Sequence, residues 1–357
     1  GFRMDVISLI SKRLAFKNTP DNMSFKDVME KFYANGPRVH EFLKEMNREV
    51  LSKYDIVTVG EGPGINLKNG LNYVAENEKE LNMIFHFDHL TIDFGPKGKY
   101  DPIPLNFIRF KEIFTKWDNL LANNGWNSIF LGNHDFSRIV SRFGNDKEYR
   151  VESAKLLITL IMTLRGTPYI YQGDEIGMTN VSYPSIDFYN DIETLNAWKE
   201  ASINGEKMSE FLNAVHLQSR DNSRTPMQWN LKRNSGFTIG DPWIPVNKNY
   251  KNINVSSQLK DSNSILNYYK RIISFRKLNA TLVYGNYKDL EPNHPYLFVY
   301  KRWDENNEFL IIHNFSEKYL GLEKKITLNY NLVILNYENV KNQNKIRPWE
   351  TRVYKSR

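Results

Sequence analysis

The stretch Gly1-Phe2-Arg3-Met4-Asp5-Val6 stands at the start of the chain and decides the fold prediction. Side chains alternate along a β-strand, so Arg3 and Asp5 are expected on the same face of a strand that ends near them. The arginine would then keep the aspartate ionised and oriented. By itself the pattern indicates either a plain ion pair at a strand end or a carboxylate with a chemical role.

The same arrangement recurs twice downstream. Residues 55–61 form an apolar run that ends in Glu61, and residues 127–135 form another that ends in His134-Asp135. Segments with helical spacing of apolar residues separate these predicted strands. Parallel strands that alternate with helices and carry acids at their carboxyl ends predict the catalytic rim of a β/α barrel.

Further periodic segments extend the pattern. The predicted strands are residues 83–89 and 168–175, and the predicted helices are residues 38–53, 105–123, 151–164 and 264–278. Past residue 278 the sequence changes to short alternating strands separated by Asn, Gly and charged clusters, which predicts an antiparallel sandwich. The expected domains are therefore a barrel at residues 1–278 and a β-sandwich at residues 279–357.

Two histidines on one predicted strand raise the question of a metal site. His86 and His89 are three residues apart, so on a strand they are expected to point to opposite faces and not to share one ion. Cysteine is absent from the sequence, which excludes disulfides, thiol nucleophiles and thiolate metal sites. We therefore predict no metal centre and no cofactor from these residues.

Composition limits the remaining classes. The 357 residues are 41% hydrophobic and 13% aromatic, enough for a substantial core. The net charge of +7 comes from Lys and Arg scattered among acids, so we expect no nucleic-acid partner. The longest apolar run is far shorter than the roughly 20 residues that span a bilayer, so we expect no membrane segment.

Four motifs connect the chain with a known family. Residues 1–5, 59–61 and 133–135 resemble three sequence blocks of glycoside hydrolase family 13, the α-amylase family. The fourth motif resembles a signature of the oligo-1,6-glucosidase and α-glucosidase branch, shared with trehalose-6-phosphate hydrolases; it reads Arg220-Asp221-Asn222-Ser223-Arg224-Thr225-Pro226-Met227-Gln228-Trp229. The resemblance covers nearly the whole chain. It implies an α/β fold, the C-terminal part of a (β/α)8 TIM barrel (strands 4 to 8) followed by an all-β antiparallel sandwich domain.

The resemblance implies a role for each carboxylate. Asp5 matches the nucleophile, Glu61 the acid/base, and Asp135 a third acid that holds sugar hydroxyls. Retaining cleavage of a glycosidic bond needs two carboxyl groups about 5 to 5.5 Å apart, one attacking the anomeric carbon and one protonating the leaving oxygen. By the same resemblance, the adjacent Asp174 and Glu175 have a structural role.

Further positions resemble substrate-binding residues. Arg3 is the positive charge that keeps the nucleophile ionised, and His134 resembles a sugar-hydroxyl ligand. Arg224 resembles a residue that reaches the terminal glucose, with Arg220 as its support; alternatively, both arginines only brace a loop. Val6 resembles branch members that favour α-1,6 bonds, whereas Thr at this position goes with α-1,4 preference, although Val is also ordinary core filling.

These roles predict a retaining, exo-acting α-glucosidase that hydrolyses terminal α-1,6, or α-1,4, bonds of short oligosaccharides. The alternatives are a trehalose-6-phosphate hydrolase, a glucosyl transferase or sucrose isomerase on the same fold, and a non-catalytic carbohydrate-binding relative. The last would have lost the carboxylates that this chain retains.

The chain opens inside a catalytic strand, so we expect it to be the C-terminal part of a longer enzyme and inactive alone. A family calcium site, where one exists, would lie in the preceding N-terminal part, and that part as a separate fragment is a candidate partner. We expect a cytoplasmic location, with a signal peptide beyond the reach of this sequence.

Overall fold

The computed structural model describes residues 1–15, 17–20, 23–323 and 327–357, and of Phe25 only the backbone. Residues 324–326 of the predicted C-terminal domain therefore lie outside the described residues. The chain divides into two compact units. The first unit comprises Gly1–Ile129 with Arg165–Pro168, and the second comprises Phe130–Leu164 with Tyr169–Arg357.

The first unit alternates strands and helices. Its strands are β1 Phe2–Met4, β2 Thr58–Gly62, β3 Met83–His86, β4 Phe94–Gly95, β5 Gly98–Pro102, β6 Ser128–Ile129 and β7 Thr167–Pro168. Its helices are α1 Phe25–Val28, α2 Val39–Glu49, α3 Gly70–Val74 and α4 Phe107–Leu121. Helix α4 begins where the Asn106 side chain accepts from the backbone N of Arg109, an N-cap that satisfies one free amide.

Strand pairing in this unit is parallel wherever barrel strands meet. The β1-β2-β3 sheet aligns Arg3 with Val59 and Val59 with Met83, and β6 pairs in parallel with β7. The Ser128 hydroxyl donates to the carbonyl of Ile84, which ties β6 to β3. Because parallel strands all point the same way, residues after β1 and at the end of β2 lie at the same edge of the sheet.

An apolar cluster supports this sheet. Its buried members come from the strands and from helices α2, α3 and α4: Ile7, Val39, Leu43, Leu51, Ile65, Tyr73, Val74, Leu81, Ile84, Trp117 and Leu121. Trp117 and Leu43 are fully buried. Burial of this apolar stripe is what holds the short strands in register, since strands this short contribute few ladder bonds of their own.

Several barrel strands are shorter than the sequence predicts. The predicted strand 127–135 ends at Ile129, and further along the Asn133 side chain accepts from the backbone N of Asp135 in a turn. The predicted strand 168–175 is wrong beyond Pro168. Gly173 has φ 95° and starts a 3₁₀ turn at Asp174–Ile176, a conformation that favours glycine and ends an extended segment.

The second unit is helical first and antiparallel afterwards. Its helices are α5 Ile139–Phe143, α6 Arg150–Thr163, α7 Ile192–Ile203, α8 Met208–Gln218, α9 Asp221–Arg224, α10 Val255–Gln258, α11 Ile265–Lys277 and α12 Ala280–Tyr284. Its strands are β8 Asn286–Asp289, β9 Leu297–Trp303, β10 Glu308–Asn314, β11 Leu320–Gly321, β12 Tyr330–Leu335, β13 Lys345–Ile346 and β14 Thr351–Ser356. Helices α6 and α11 confirm the predicted helices at 151–164 and 264–278 to within one residue at each end.

The strands of this unit form a five-stranded antiparallel sheet in the order β12-β14-β10-β9-β8 and a two-stranded pair, β11-β13. Leu297, Val299, Leu310 and Ile312 form its apolar core together with Ile346 and Tyr354. The guanidinium of Arg302 is fully buried and donates to the carbonyls of Thr163, at 2.7 Å, and Gly285, at 2.8 Å. The antiparallel C-terminal region is confirmed, while the domain boundary after residue 278 stays a prediction.

No helix among the described residues is both long enough and apolar enough to cross a membrane.

Candidate active site

One arginine contacts two carboxylates in the first unit. The guanidinium of Arg3 forms an ion pair with Asp5, and its Nη2 lies 2.8 Å from Oε1 of Glu61. The backbone N of Val6 donates to the other oxygen of Glu61 at 3.0 Å. The structure therefore brings together Arg3, Asp5, Val6 and Glu61, although Glu61 follows Arg3 by 58 positions.

The two carboxylates differ in their exposure. The Asp5 side chain is 76% exposed, whereas that of Glu61 is 6% exposed. Loss of water disfavours the charged form of a carboxyl, and a neighbouring guanidinium favours it. Asp5 is exposed beside the guanidinium of Arg3, whereas Glu61 is buried beside the same guanidinium. The two carboxyls therefore lie in different environments.

Val6 has an unusual backbone. Its φ of 36° and ψ of 41° lie in the left-handed region, which is costly for a β-branched residue. This turn starts the 3₁₀ helix Ile7–Leu9 directly after β1 and accompanies the hydrogen bond from Val6 N to Glu61. The side chain is 38% exposed, so the interpretation of Val6 as core filling is wrong.

Two residues that the sequence prediction missed hold Glu61 in place. A Cβ at Gly60 would lie 2.6 Å from Cγ2 of Ile7 and 2.7 Å from Cδ1 of Leu81, so a larger residue would force these two side chains to shift. The Ser8 hydroxyl donates to the carbonyl of Pro63 at 2.7 Å and joins the turn after β1 to the turn after β2. No local sequence signal marks either contact, because both join segments far apart in the chain.

In the second unit, Asp135 lies beside two guanidinium groups and one imidazole. Its Oδ1 lies 2.6 Å from Nη2 of Arg224 and 3.7 Å from Nε of Arg220, and its Oδ2 lies 3.6 Å from Nε2 of His134. Arg224 also donates through Nε to the carbonyl of His134 at 2.9 Å. The structure thus brings together all four predicted residues of this unit.

Two acids that the sequence prediction missed complete this cluster. Glu193 lies 3.0 Å from Nε of Arg220. Oδ1 of Asp191 lies 4.0 Å from Arg220 and 3.9 Å from Arg224, and the Asp191 side chain is 1% exposed. Asp191 could have been recognised as an N-cap, since its Oδ2 accepts from the backbone N of Thr194 at 3.1 Å. Its place beside the arginines follows only from the fold.

Asp221 anchors the segment that carries these acids. Its Oδ2 accepts from the backbone N of Asn190 at 2.6 Å and of Asp191 at 3.1 Å. Burial raises the pKa of Asp221, an effect that these backbone donors oppose. Asp221 therefore links α9 to the residues directly before α7 by hydrogen bonds.

Arg138 also holds the ten-residue segment in place, through its backbone carbonyls. Its guanidinium donates to the carbonyls of Gln172, at 2.6 Å, and of Asn222 and Ser223, both at 3.1 Å. Burial lowers the pKa of Arg138 and raises the pKa of the nearby Asp174 to about 7. Asp174 is 5% exposed and lies outside the Asp135 cluster, and its structural role stays a prediction.

His86 and His89 do not point to opposite faces, so that prediction is wrong. Strand β3 ends at His86, and the two rings lie 5.2 Å apart in an edge-to-face arrangement. His86 also stacks on Trp117 at 4.2 Å, and burial lowers its pKa to about 4. Within residues 1–15, 17–20, 23–323 and 327–357, no group of three or more His, Cys, Asp or Glu has an arrangement that could hold a metal ion.

Comparison with known proteins identifies the class. Residues 1–285 match the family model described as Alpha amylase, catalytic domain, so the chain belongs to this family. The predicted family and its fold class, a partial (β/α)8 barrel followed by an antiparallel β-domain, are thereby confirmed.

The chain is similar to an oligo-1,6-glucosidase, an isomaltulose synthase and a trehalose-6-phosphate hydrolase. The oligo-1,6-glucosidase of Parageobacillus thermoglucosidasius is 50% identical over 367 residues, which cover 100% of this chain and 65% of that protein. Isomaltulose synthase from Klebsiella sp. LX3 superposes with a TM-score of 0.93 at 38% identity, covering 99% of this chain and 65% of that one. Trehalose-6-phosphate hydrolase from Bacillus licheniformis superposes with a TM-score of 0.89 at 39% identity, covering 100% of this chain and 65% of that one. The chain thus spans about two thirds of the length of the relatives it matches.

Proposed function

We propose that this chain is the part of a retaining, exo-acting α-glucosidase that supplies its nucleophile and its acid/base, with terminal α-1,6 bonds of short oligosaccharides as the preferred substrates. The observation that carries the proposal is the contact of one guanidinium, that of Arg3, with both Asp5 and Glu61. Membership in the family and the 50% identity to an oligo-1,6-glucosidase support it.

The proposed reaction has two steps. The ionised carboxylate of Asp5 attacks the anomeric carbon while Glu61 donates its proton to the leaving oxygen, so the glycosidic bond breaks and a glucosyl ester forms. Glu61 then takes a proton from water, the water oxygen attacks the same carbon, and the ester bond to Asp5 breaks. Glucose leaves with its α configuration retained.

Arg3 and Val6 prepare the carboxylates for these roles. The exposed Asp5 is accessible to a sugar and has a guanidinium that favours its charged form. Glu61 is buried beside the same guanidinium, and the amide of Val6 orients it. A carboxyl that accepts and returns a proton needs such a fixed orientation in both steps.

Asp135 serves in this proposal as an acceptor for sugar hydroxyls. Arg224 and Arg220 keep it ionised, and His134 beside it supplies a further hydrogen-bonding group. A hydrogen bond to a sugar hydroxyl that strengthens as the ring becomes an oxocarbenium ion raises the rate as well as the affinity.

The test uses this chain joined to the portion of the Parageobacillus enzyme that it does not cover, here called the joined protein. We expect glucose release from isomaltose to be faster than from maltose, with α-glucose as the first product by NMR. Asp5→Asn is expected to abolish release while leaving the melting curve unchanged. The chain without the added portion is expected to release none. A joined protein that melts cooperatively but cleaves neither disaccharide contradicts the proposal.

The two other activities of similar proteins are tested in the same assay. Relatives with TM-scores of 0.89 and 0.93 are a trehalose-6-phosphate hydrolase and an isomaltulose synthase. Faster cleavage of trehalose 6-phosphate than of isomaltose, or conversion of sucrose to an isomer, would move the assignment to one of these. The cytoplasmic location and a separate N-terminal fragment as partner stay predictions.

A further inference from the structure

A cleft of about 580 Å³ in the second unit is lined by none of the residues assigned a catalytic or sugar-binding role above. Its walls come from the first turn of α6, the loop before α11 and residues 336–348 of the β-domain. This volume lies within the range of about 300 to 1,000 Å³ that is usual for small-molecule sites. The cleft is therefore large enough for a ligand of two or three sugar rings.

Hydrogen bonds fix the walls of the cleft. Asn336 is 3% exposed, and its amide donates to the carbonyls of Glu152, at 2.9 Å, and Trp349, at 2.7 Å. Its oxygen accepts from the backbone N of Thr351 at 2.8 Å. This buried side chain joins α6 to the β-domain, so the cleft exists without a ligand and little ordering would accompany binding.

The charges that line the cleft nearly cancel. The cations among the described residues are Lys155, Arg271, Lys341 and Arg347, and the acids are Glu152, Asp261 and Glu338. Two of the cations already have acceptors: Lys155 donates to the carbonyl of Asn263 at 2.6 Å, and Arg347 lies 3.2 Å from Glu350. A strongly charged ligand of either sign would therefore meet like charges beside opposite ones, and a neutral polar ligand fits better.

Aromatic rings add a second kind of contact. Tyr149, Tyr319 and Tyr337 line the cleft, and Tyr319 is 65% exposed. Tyr337 is held in place by its hydroxyl, which donates to the carbonyl of Pro348 at 2.7 Å, and by the guanidinium of Arg347, 3.8 Å from its ring centre. Aromatic faces pack against the C–H faces of a pyranose, while amides and carboxylates bond to its hydroxyls.

We propose that this cleft binds a neutral oligosaccharide of a few hexose units, at a site in addition to the catalytic one. Only the choice of α-glucosides as the probe rests on the proposed function. Bound here, an oligosaccharide would be retained on the protein at residues other than Asp5 and Glu61.

The experiment titrates the chain with maltotriose and follows heat and backbone hydrogen exchange. We expect millimolar binding, of the order of 4 kcal/mol, and slower exchange in residues 336–348. Tyr319→Ala is expected to weaken binding about fivefold. Tyr284→Ala removes a tyrosine that is 69% exposed and does not line the cleft, and it should leave binding unchanged.

Three results would overturn the inference: no heat at about 10 mM maltotriose, binding without slower exchange in residues 336–348, or the same slowing with inorganic phosphate. Glucose release from isomaltose is measured on the same variants in the joined protein. Slower exchange in residues 336–348 without glucose release would reject the proposed function alone. Glucose release without slower exchange would reject this inference alone.

Discussion

Nη2 of Arg3 lies 2.8 Å from Oε1 of Glu61, although Arg3 also forms an ion pair with Asp5. The proposed nucleophile and the proposed acid/base therefore share one positive charge. A guanidinium has its donors in a fixed planar fork, so it can meet two carboxylates at once and set the direction from which each approaches. Five predictions concern this contact and the groups that surround the site residues.

Replacing Arg3 by Lys should lower kcat/KM of the joined protein on isomaltose by about 100-fold, because an ammonium is a point charge that cannot bridge both acids. Replacing it by Gln should also move the acidic limb of the kcat/KM profile to higher pH, since Asp5 loses the charge that favours its ionised form. Arg48→Gln, at a side chain that is 67% exposed, is the matched control. An unchanged pH profile in Arg3→Gln would contradict the role of Arg3.

Replacing Val6 by Gly should raise the stability of the chain by about 1 kcal/mol, because glycine adopts φ 36° without the steric cost that valine has. Val57→Gly removes a valine that is 57% exposed and outside the left-handed region, and it should lower stability. Urea unfolding of both variants measures the difference. A Val6→Gly protein less stable than Val57→Gly would show that the turn after β1 is not strained.

Replacing Val6 by Thr should lower the ratio of kcat/KM for isomaltose to that for maltose in the joined protein. The residue stands directly after the proposed nucleophile and is 38% exposed, so an added hydroxyl would meet the substrate and not the core. The reference is the same ratio in the unmodified joined protein. A ratio that stays constant while both rates change would mean that linkage preference is set elsewhere.

Replacing Asp174 by Asn should make the stability difference between variant and parent depend on pH. The folded pKa of Asp174 is about 7 against an ordinary 3.8, so the folded state binds more protons than the unfolded state between these values. The contribution of Asp174 is thus fully present below pH about 4 and is lost as pH rises toward 7. In urea unfolding from pH 4 to 8, the free energy of unfolding of the variant should rise relative to that of the parent as the pH rises. The control is Asp241→Asn, at a side chain that is 95% exposed, which should show no such trend. A stability difference between Asp174→Asn and the parent that does not change with pH would contradict the raised pKa of the buried Asp174 carboxyl.

Replacing Asp191 by Asn should raise KM for isomaltose about tenfold with a small change in melting temperature. Asparagine still caps α7, but the negative charge 3.9 Å from Arg224 and 4.0 Å from Arg220 is lost, so both guanidinium groups are held less firmly against Asp135. Asp187→Asn, in the same region of the chain and outside this cluster, is the control. A large fall in melting temperature with unchanged kinetics would give Asp191 a purely structural role.

Local sequence was enough for much of this protein. Alternation along one strand predicted that Arg3 and Asp5 meet, and the spacing of apolar residues predicted α4, α6 and α11. The resemblance of the ten residues from Arg220 to Trp229 to a family signature predicted that two arginines serve the same site as Asp135, and both lie beside it. The strand and helix predictions depend on neighbours close in the chain, so periodicity contains the necessary information for them.

The tertiary structure decided what those residues touch. Glu61 reaches Arg3 only because β1 and β2 pair in parallel and Gly60 lets them approach Ile7 and Leu81 closely. Asp191 meets the arginines only because Asp221 binds the amides before α7. Two strands end earlier than predicted, at Ile129 and Pro168, and a turn at Asn133 and a left-handed Gly173 follow them. The sequence alone thus determined which chemical groups are available, and long-range backbone contacts, which no local pattern encodes, decided how they are arranged.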